Sequence, residues 1–192
     1  MSFASIFRAI IDDPDNSEFR AKGWEPVYSA GPGARIAVIG QAPGRKAQES
    51  GVPWNDASGK KLFDWLGVTE EQFRDLELFA LLPMDFYYPG KGTSGDLPPR
   101  RGFAERWHPQ LLKLMPDIRL TLLVGGYAQA YYLHGRAEKN LTDTVRAFEN
   151  YLPGVIPLVH PSPLNFRWQA KNGWFATDLL PVLRERVAAA LS

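Results

Sequence analysis

The chain has 192 residues, 45% of them hydrophobic and 22% charged, which is typical of a globular domain with a core of its own. It contains no cysteine, so disulfides, thiol catalysis and cysteine-ligated metal or iron–sulfur sites are excluded. A net charge of +1 only weakly indicates nucleic-acid binding, because a DNA-binding enzyme needs just a local positive face.

Short apolar runs of β type alternate along the chain with segments of helical periodicity. In chain order, the predicted elements are a helix at 3–11, a strand at 35–39, helices at 58–66 and 70–74, a strand at 78–82, a helix at 102–114, a strand at 120–124, a helix at 125–134, a strand at 155–159, and helices at 170–180 and 181–190. No linker is long enough to separate two domains. The alternation predicts a single three-layer α/β/α domain over residues 1–192, with a mainly parallel central sheet covered on both faces.

Two loops directly follow predicted strands and break into glycine and proline. The first covers residues 40–44 and the second covers residues 160–165. In an open parallel sheet, ligands bind at the carboxyl ends of the strands. We therefore expect both loops to border one cleft, although more than a hundred residues separate them.

Three short sequence motifs lie in or near these loops. They are G-Q-A-P-G at 40–44, G-V-P-W-N-D-A-S-G at 51–59 and H-P-S-P-L-N at 160–165. Together they resemble the uracil-DNA glycosylase superfamily, over roughly residues 36–166. The resemblance implies a uracil-DNA glycosylase-like fold, damaged single- or double-stranded DNA as partner, and no metal or organic cofactor. Some bacterial members carry a four-cysteine iron–sulfur cluster, which this chain cannot form.

Cleavage of an N-glycosidic bond develops negative charge on the departing base and positive charge on the sugar. A site for it needs a donor to a base oxygen and a group that orients water. The resemblance assigns the donor role to His160, whereas a buried histidine bonded to backbone is the structural alternative. In much of the superfamily that the chain resembles, the third position of the first loop is an acid or amide that handles the water, but Ala42 stands there.

Asp56 is the nearest replacement for this missing acid. One branch of the superfamily that also lacks the acid in its first loop uses an acid in a similar G-D-x-S-G setting. We therefore predict His160 and Asp56 as the catalytic residues. Alternatively, Asp56 only caps the helix predicted at 58–66.

The motif at 51–59 contains an aromatic residue, and the motif at 160–165 contains an apolar one. Trp54 matches the residue that stacks on the extruded base, with a core tryptophan as the alternative. Leu164 matches the wedge that enters the duplex. Many relatives recognise uracil with an asparagine after the second strand, where this chain has no Asn or Gln. Asp85 is the substitute there, and a turn residue is its alternative role.

The resemblance thus implies two sets of contacts. The predicted base contacts are Gln41, Ala42, Pro43, Trp54 and Asp85. The predicted DNA contacts are Gly44, Ser162, Pro163, Leu164 and Asn165. Within the second set, Ser162 would bind a phosphate, and Asn165 has the alternative role of bracing its loop.

These features predict a monofunctional DNA glycosylase of base excision repair that acts as a monomer on uracil, hypoxanthine or xanthine. A binder of damaged or abasic DNA that does not cleave is one alternative, because Ala42 replaces the usual acid. An enzyme that hydrolyses free nucleosides or nucleotides is another. No stretch reaches the roughly 18 apolar residues that span a bilayer and the N-terminus lacks a secretory signal pattern, so we expect a cytoplasmic protein.

Overall fold

Four short apolar strands form the centre of the structure, a computed structural model that describes residues 1–192. They are β1 (Ile36–Ile39), β2 (Phe79–Leu81), β3 (Leu120–Val124) and β4 (Val155–Leu158). All neighbouring strands are parallel, in the order β2-β1-β3-β4. Nearly every strand residue is buried, as is typical of a parallel sheet with helices on both faces.

Ten α-helices connect and cover the strands. In chain order they are α1 (Phe3–Asp12), α2 (Ser17–Ala21), α3 (Arg45–Ser50), α4 (Ala57–Leu66), α5 (Glu70–Arg74), α6 (Phe103–Leu112), α7 (Gly126–Tyr132), α8 (Leu141–Arg146), α9 (Phe166–Lys171) and α10 (Leu180–Leu191). Short 3₁₀ turns lie at Pro14–Asn16, Phe148–Tyr151 and Pro163–Asn165, and a π-helical turn lies at Phe175–Leu179. None of the helices has the length and apolar character needed to cross a membrane.

Alternate strand residues contribute to two separate cores. In β1, Ile36 and Val38 face one core while Ala37 and Ile39 face the other, because side chains alternate along a strand. Helices α4, α5, α8 and α10 complete the first core, and α1, α6 and α7 contribute to the second. The predicted three-layer α/β/α arrangement around a parallel sheet is confirmed.

The C-terminal helices differ from the prediction. One helix is expected at 170–180, but α9 covers an earlier stretch and ends at Lys171. Asn172 interrupts the helix, because its side-chain amide donates to the carbonyl of Trp168 at 2.8 Å and its oxygen accepts from the indole N–H of Trp174 at 3.1 Å. A helical apolar pattern carries no sign of such side-chain contacts.

Three short helices, α2, α3 and α8, are absent from the predicted elements. Each has only five or six residues and buries one or two side chains, so its apolar spacing is a weak signal. The other predicted elements are present, with ends within two residues of the predicted ones.

The loops after β1 and β2 are joined beyond the ends of the strands. The main-chain N–H of Met84 donates to the carbonyl of Gly40 at 2.9 Å, and that of Asp85 donates to the carbonyl of Gln41 at 3.2 Å. These bonds continue the β1–β2 ladder and set the two loops side by side. The loop after β4 emerges at the same edge, because all four strands are parallel.

Candidate active site

A cleft of about 440 Å³ opens at the carboxyl edge of the sheet. Its walls come from the loops after β1 and β4, the segment before α4, and a hairpin that follows β2. The predicted site residues that line it are Gln41, Ala42, Pro43, Gly44, Trp54, Asp56, His160, Ser162 and Leu164. Pro163 and Asn165 belong to the adjoining turn, and Asp85 lies outside the cleft.

The first loop brings main chain close to the centre of the cleft. A Cβ on Gly40 would lie 3.1 Å from Cζ2 of Trp54, so glycine lets the indole pack directly on the backbone. The side chain of Gln41 is half-buried and makes no hydrogen bond within the chain. Its amide is therefore free to donate to, and accept from, a ligand.

Trp54 adopts an uncommon backbone conformation at the cleft wall. Its φ of 57° lies in the left-handed region that bulky residues rarely occupy. Gly59 makes this possible, because a Cβ there would lie 1.9 Å from the carbonyl oxygen of Trp54. The indole packs partly on the core and stacks on the ring of His160, with centroids 5.8 Å apart and planes 27° apart.

Asp56 both caps α4 and faces the cleft. Its Oδ1 accepts from the main-chain N–H of Gly59 at 2.9 Å, so the helix-cap interpretation is correct. Its Oδ2 lies on the side of the first loop, 3.9 Å from where a Cβ of Gly44 would stand. Since a carboxylate has two oxygens, capping leaves one of them for a ligand in the cleft.

His160 follows β4 and is held through its main chain. Its carbonyl accepts from the side-chain amide of Asn165 at 2.7 Å, while its ring lines the cleft. Burial lowers the pKa of His160, and the nearby carboxylate of Asp56 partly offsets this by raising it. The imidazole is therefore mainly neutral near pH 7, with one ring nitrogen that donates and one that accepts.

The turn after His160 presents Leu164 at the mouth of the cleft. Ser162 caps the 3₁₀ turn Pro163–Asn165, because its Oγ accepts from the main-chain N–H of Leu164 at 3.2 Å. Leu164 is 85% exposed although it is apolar. Its side chain therefore contributes little to folding and is available to a partner.

Asp85 does not occupy the predicted base-contact position. It is fully buried, and Arg100 binds it with two nitrogens at 2.7 and 2.8 Å. The main-chain N–H groups of Tyr87 and Arg100 also donate to its carboxylate, each at 3.1 Å. Both oxygens are thus used within the protein, and Asp85 organises the loop after β2.

At Pro83, the cleft wall after β2 presents no free polar group. Pro83 lines it but has no N–H, and its carbonyl lies 2.9 Å from Nε2 of His108. His108 is fully buried, and its other ring nitrogen lies 2.7 Å from the hydroxyl of Tyr132. The Pro83 carbonyl and both ring nitrogens of His108 are therefore engaged within the protein.

Two lining features were not predicted from the sequence. Ser58 is 92% buried, and its hydroxyl has no hydrogen-bond partner within the chain although it lines the cleft. Ser58 belongs to the motif at 51–59, and this is the sequence feature that points to it. A hairpin at 90–97 also brings Lys91 and Leu97 to the lining of the cleft.

The chain is thus an α/β protein with a parallel sheet and a ligand-sized cleft at the carboxyl edge of that sheet. An indole, a mainly neutral imidazole and a carboxylate line this cleft. Residues 28–184, most of the chain, match the uracil DNA glycosylase superfamily, and the chain belongs to it. Members of this superfamily are in general DNA N-glycosylases of base excision repair, which makes DNA the expected class of substrate.

Proposed function

We propose that this protein is a monofunctional DNA glycosylase that hydrolyses the N-glycosidic bond of a deaminated base. The observation that carries the proposal is that Trp54, Asp56 and His160, from two distant segments, line one cleft in a chain of this superfamily. The cytoplasm is its proposed place of action.

The extruded base would lie against the indole of Trp54, close to the main-chain N–H groups of residues 40–44. There it would be removed from the stack of the duplex. His160 would donate its ring N–H to a base oxygen as negative charge develops on the leaving base. A neutral donor in a half-buried cleft is effective because little solvent screens it.

Asp56 would orient the attacking water, because the first loop has Ala42 instead of an acidic residue. Its Oδ2 is not used by the helix cap and lies on the side of the first loop, and Ala42 lines the same cleft. Water attacks C1′ of the deoxyribose while the N–C1′ bond breaks and its electron pair leaves with the base. The proton of the water passes to Asp56, whose negative charge also stabilises the developing sugar cation.

The base would be selected mainly by shape and by a few donors. Asp85 is occupied by Arg100 and Pro83 has no N–H, so Gln41 is the amide side chain left to contact the base edge. A cleft of about 440 Å³ holds either a pyrimidine or a purine. We therefore propose uracil, hypoxanthine and xanthine as the candidate bases.

Single-turnover cleavage of oligonucleotides with uracil, hypoxanthine or xanthine tests the proposal. Asp56→Asn keeps the helix cap, because asparagine caps helices as well as aspartate does, and removes only the charge. We expect it to lower the cleavage rate by about 10²–10⁴-fold while DNA affinity is retained. Asp64→Asn is the matched control, since Asp64 is an exposed carboxylate on the same helix.

His160→Ala should lose about 10²–10³-fold in the same assay, as when a transition-state donor is removed. His134→Ala is its control, because His134 is exposed and lies outside the cleft. Tight binding of abasic DNA without release of any of the three bases would instead support a non-cleaving binder, as the alanine at position 42 suggests. Release of bases from free nucleosides but not from DNA would support a nucleoside hydrolase.

A further inference from the structure

An exposed aromatic side chain lies just beyond the cleft. Phe166 is 61% exposed and stands two residues after Leu164, but unlike Leu164 it does not line the cleft. The next aromatic residue of α9, Trp168, packs edge-on against Trp174 and Phe175, with ring centroids 5.7 and 5.5 Å apart. Exposure is therefore specific to Phe166 rather than general to the aromatic residues of this segment.

Phe166 lies between two residues, Asn165 and Trp168, whose side chains are hydrogen-bonded to other parts of the chain. On one side, the side-chain amide of Asn165 donates to the carbonyl of His160 at 2.7 Å. On the other, the indole N–H of Trp168 donates to the hydroxyl of Thr142 at 2.8 Å. The main chain that carries Phe166 is thus held on both sides, so binding a partner there costs little ordering of the backbone.

A cation accompanies the ring. The guanidinium of Arg167 lies 5.6 Å from the ring centroid of Phe166, and Arg167 is itself exposed. Lys171 adds a second exposed cation at the end of the same helix. An aromatic face beside positive charge is the combination that binds a nucleobase together with its phosphate backbone.

Single-stranded DNA is the occupant that fits this surface. Because Phe166 does not line the cleft that would hold the extruded base, it would meet a neighbouring nucleotide. In a duplex, pairing and stacking cover the faces of the neighbouring bases, and Leu164 would fill the gap. In a single strand those faces are free.

We propose that Phe166 and Arg167 form a stacking platform for an unpaired base next to the target nucleotide, and so favour single-stranded DNA. This inference rests on the proposed function, because it places a target nucleotide in the cleft. It predicts that Phe166 and Leu164 act on opposite substrates, Phe166 on single strands and Leu164 on duplexes.

Fluorescence anisotropy at fixed salt tests the platform without any cleavage. The probe is a labelled oligonucleotide with one tetrahydrofuran abasic analogue, used as a single strand and as a duplex. We expect Phe166→Ala to weaken single-strand binding by roughly 5- to 100-fold, as for the loss of one base–aromatic stack. Duplex binding should change by less than about twofold, as for an ordinary surface substitution.

Phe166→Trp should restore single-strand affinity, because an indole also stacks on bases. Leu76→Ala is the control, since Leu76 is 44% exposed and lies in a groove beside α1, away from the cleft. Unchanged single-strand affinity in Phe166→Ala would overturn the platform, and so would equal losses on both probes or a loss accompanied by a lower melting temperature. Because the probe has no base to release, these results are independent of whether the wild-type protein cleaves DNA.

Discussion

His108 should make the folded protein less stable as the pH falls from about 6.5 to about 4. Its Nε2 lies 2.9 Å from the carbonyl oxygen of Pro83, which can only accept, so Nε2 carries the proton. Its Nδ1 lies 2.7 Å from the hydroxyl of Tyr132 and therefore accepts from it. The neutral ring is thus satisfied on both sides, and a second proton would place an unpaired charge in the core.

The size of the effect follows from the pKa of His108. Burial lowers this pKa from 6.5 to about 4, although the Pro83 carbonyl and Glu105 act in the opposite direction. Between these values the unfolded chain binds a proton that the folded chain does not, so the free energy of unfolding decreases as the pH falls. The interval from 6.5 to about 4, at about 1.4 kcal/mol for each pH unit, amounts to about 3 kcal/mol.

Urea unfolding followed by tryptophan fluorescence between about pH 7.5 and about pH 4.5 measures this effect. His108→Gln should be less stable than the wild type at neutral pH but should have a flatter pH profile, because no titrating group remains at that position. His134→Gln serves as the control, since His134 is exposed and should leave the wild-type profile unchanged. Parallel profiles for the wild type and His108→Gln would refute the reasoning. The comparison also separates His108 from His160, whose lowered pKa acts in the same direction in both proteins.

Three further substitutions test the cleft and its supports. Leu164→Ala should slow cleavage of duplex substrate by about 10- to 100-fold, because roughly 1.5–3 kcal/mol from burying a leucine in the stack is lost, and should slow cleavage of single strands less. Equal losses on both substrates would mean that the leucine does not enter DNA. Gly59→Ala would place a Cβ 1.9 Å from the carbonyl oxygen of Trp54, so cleavage should fall and the protein should lose about 1–3 kcal/mol in urea unfolding. An unaffected rate would show that the backbone of Trp54 can shift without consequence. Arg100→Met leaves the buried carboxylate of Asp85 unpaired and should destabilise the protein by about 3–5 kcal/mol, measured by the same method.

The sheet could be predicted because its strands are buried on both faces. Residues 36–39 are four apolar residues in a row, and only a fully covered strand or a buried helix accepts such a run. The turn residues of the following loop decide for the strand. The strand order β2-β1-β3-β4 could not be predicted in this way, because it depends on how the connecting segments cross over the sheet.

The cleft residues also divide into features that the sequence predicts and features that depend on the tertiary structure. Asp56 was expected either to cap a helix or to face a ligand, and the structure gives its two oxygens different environments. Asp85 was expected at the base, but Arg100 reaches it from fifteen residues further along the chain. Ser58 is not among the predicted site residues, because its position in the motif at 51–59 does not show that its hydroxyl lacks a partner.

The sequence by itself determined which segments are strands and which loops follow them. Its motifs at 40–44, 51–59 and 160–165 also indicated the superfamily. These features are local, since they depend on the spacing of apolar residues, on glycine and proline, and on the order of short motifs along the chain. Only the tertiary structure decided which polar groups are used inside the protein and which are left for a ligand. That outcome depends on partners distant in sequence, as the enclosure of Asp85 by Arg100 and the exposure of Phe166 beside a packed Trp168 both show.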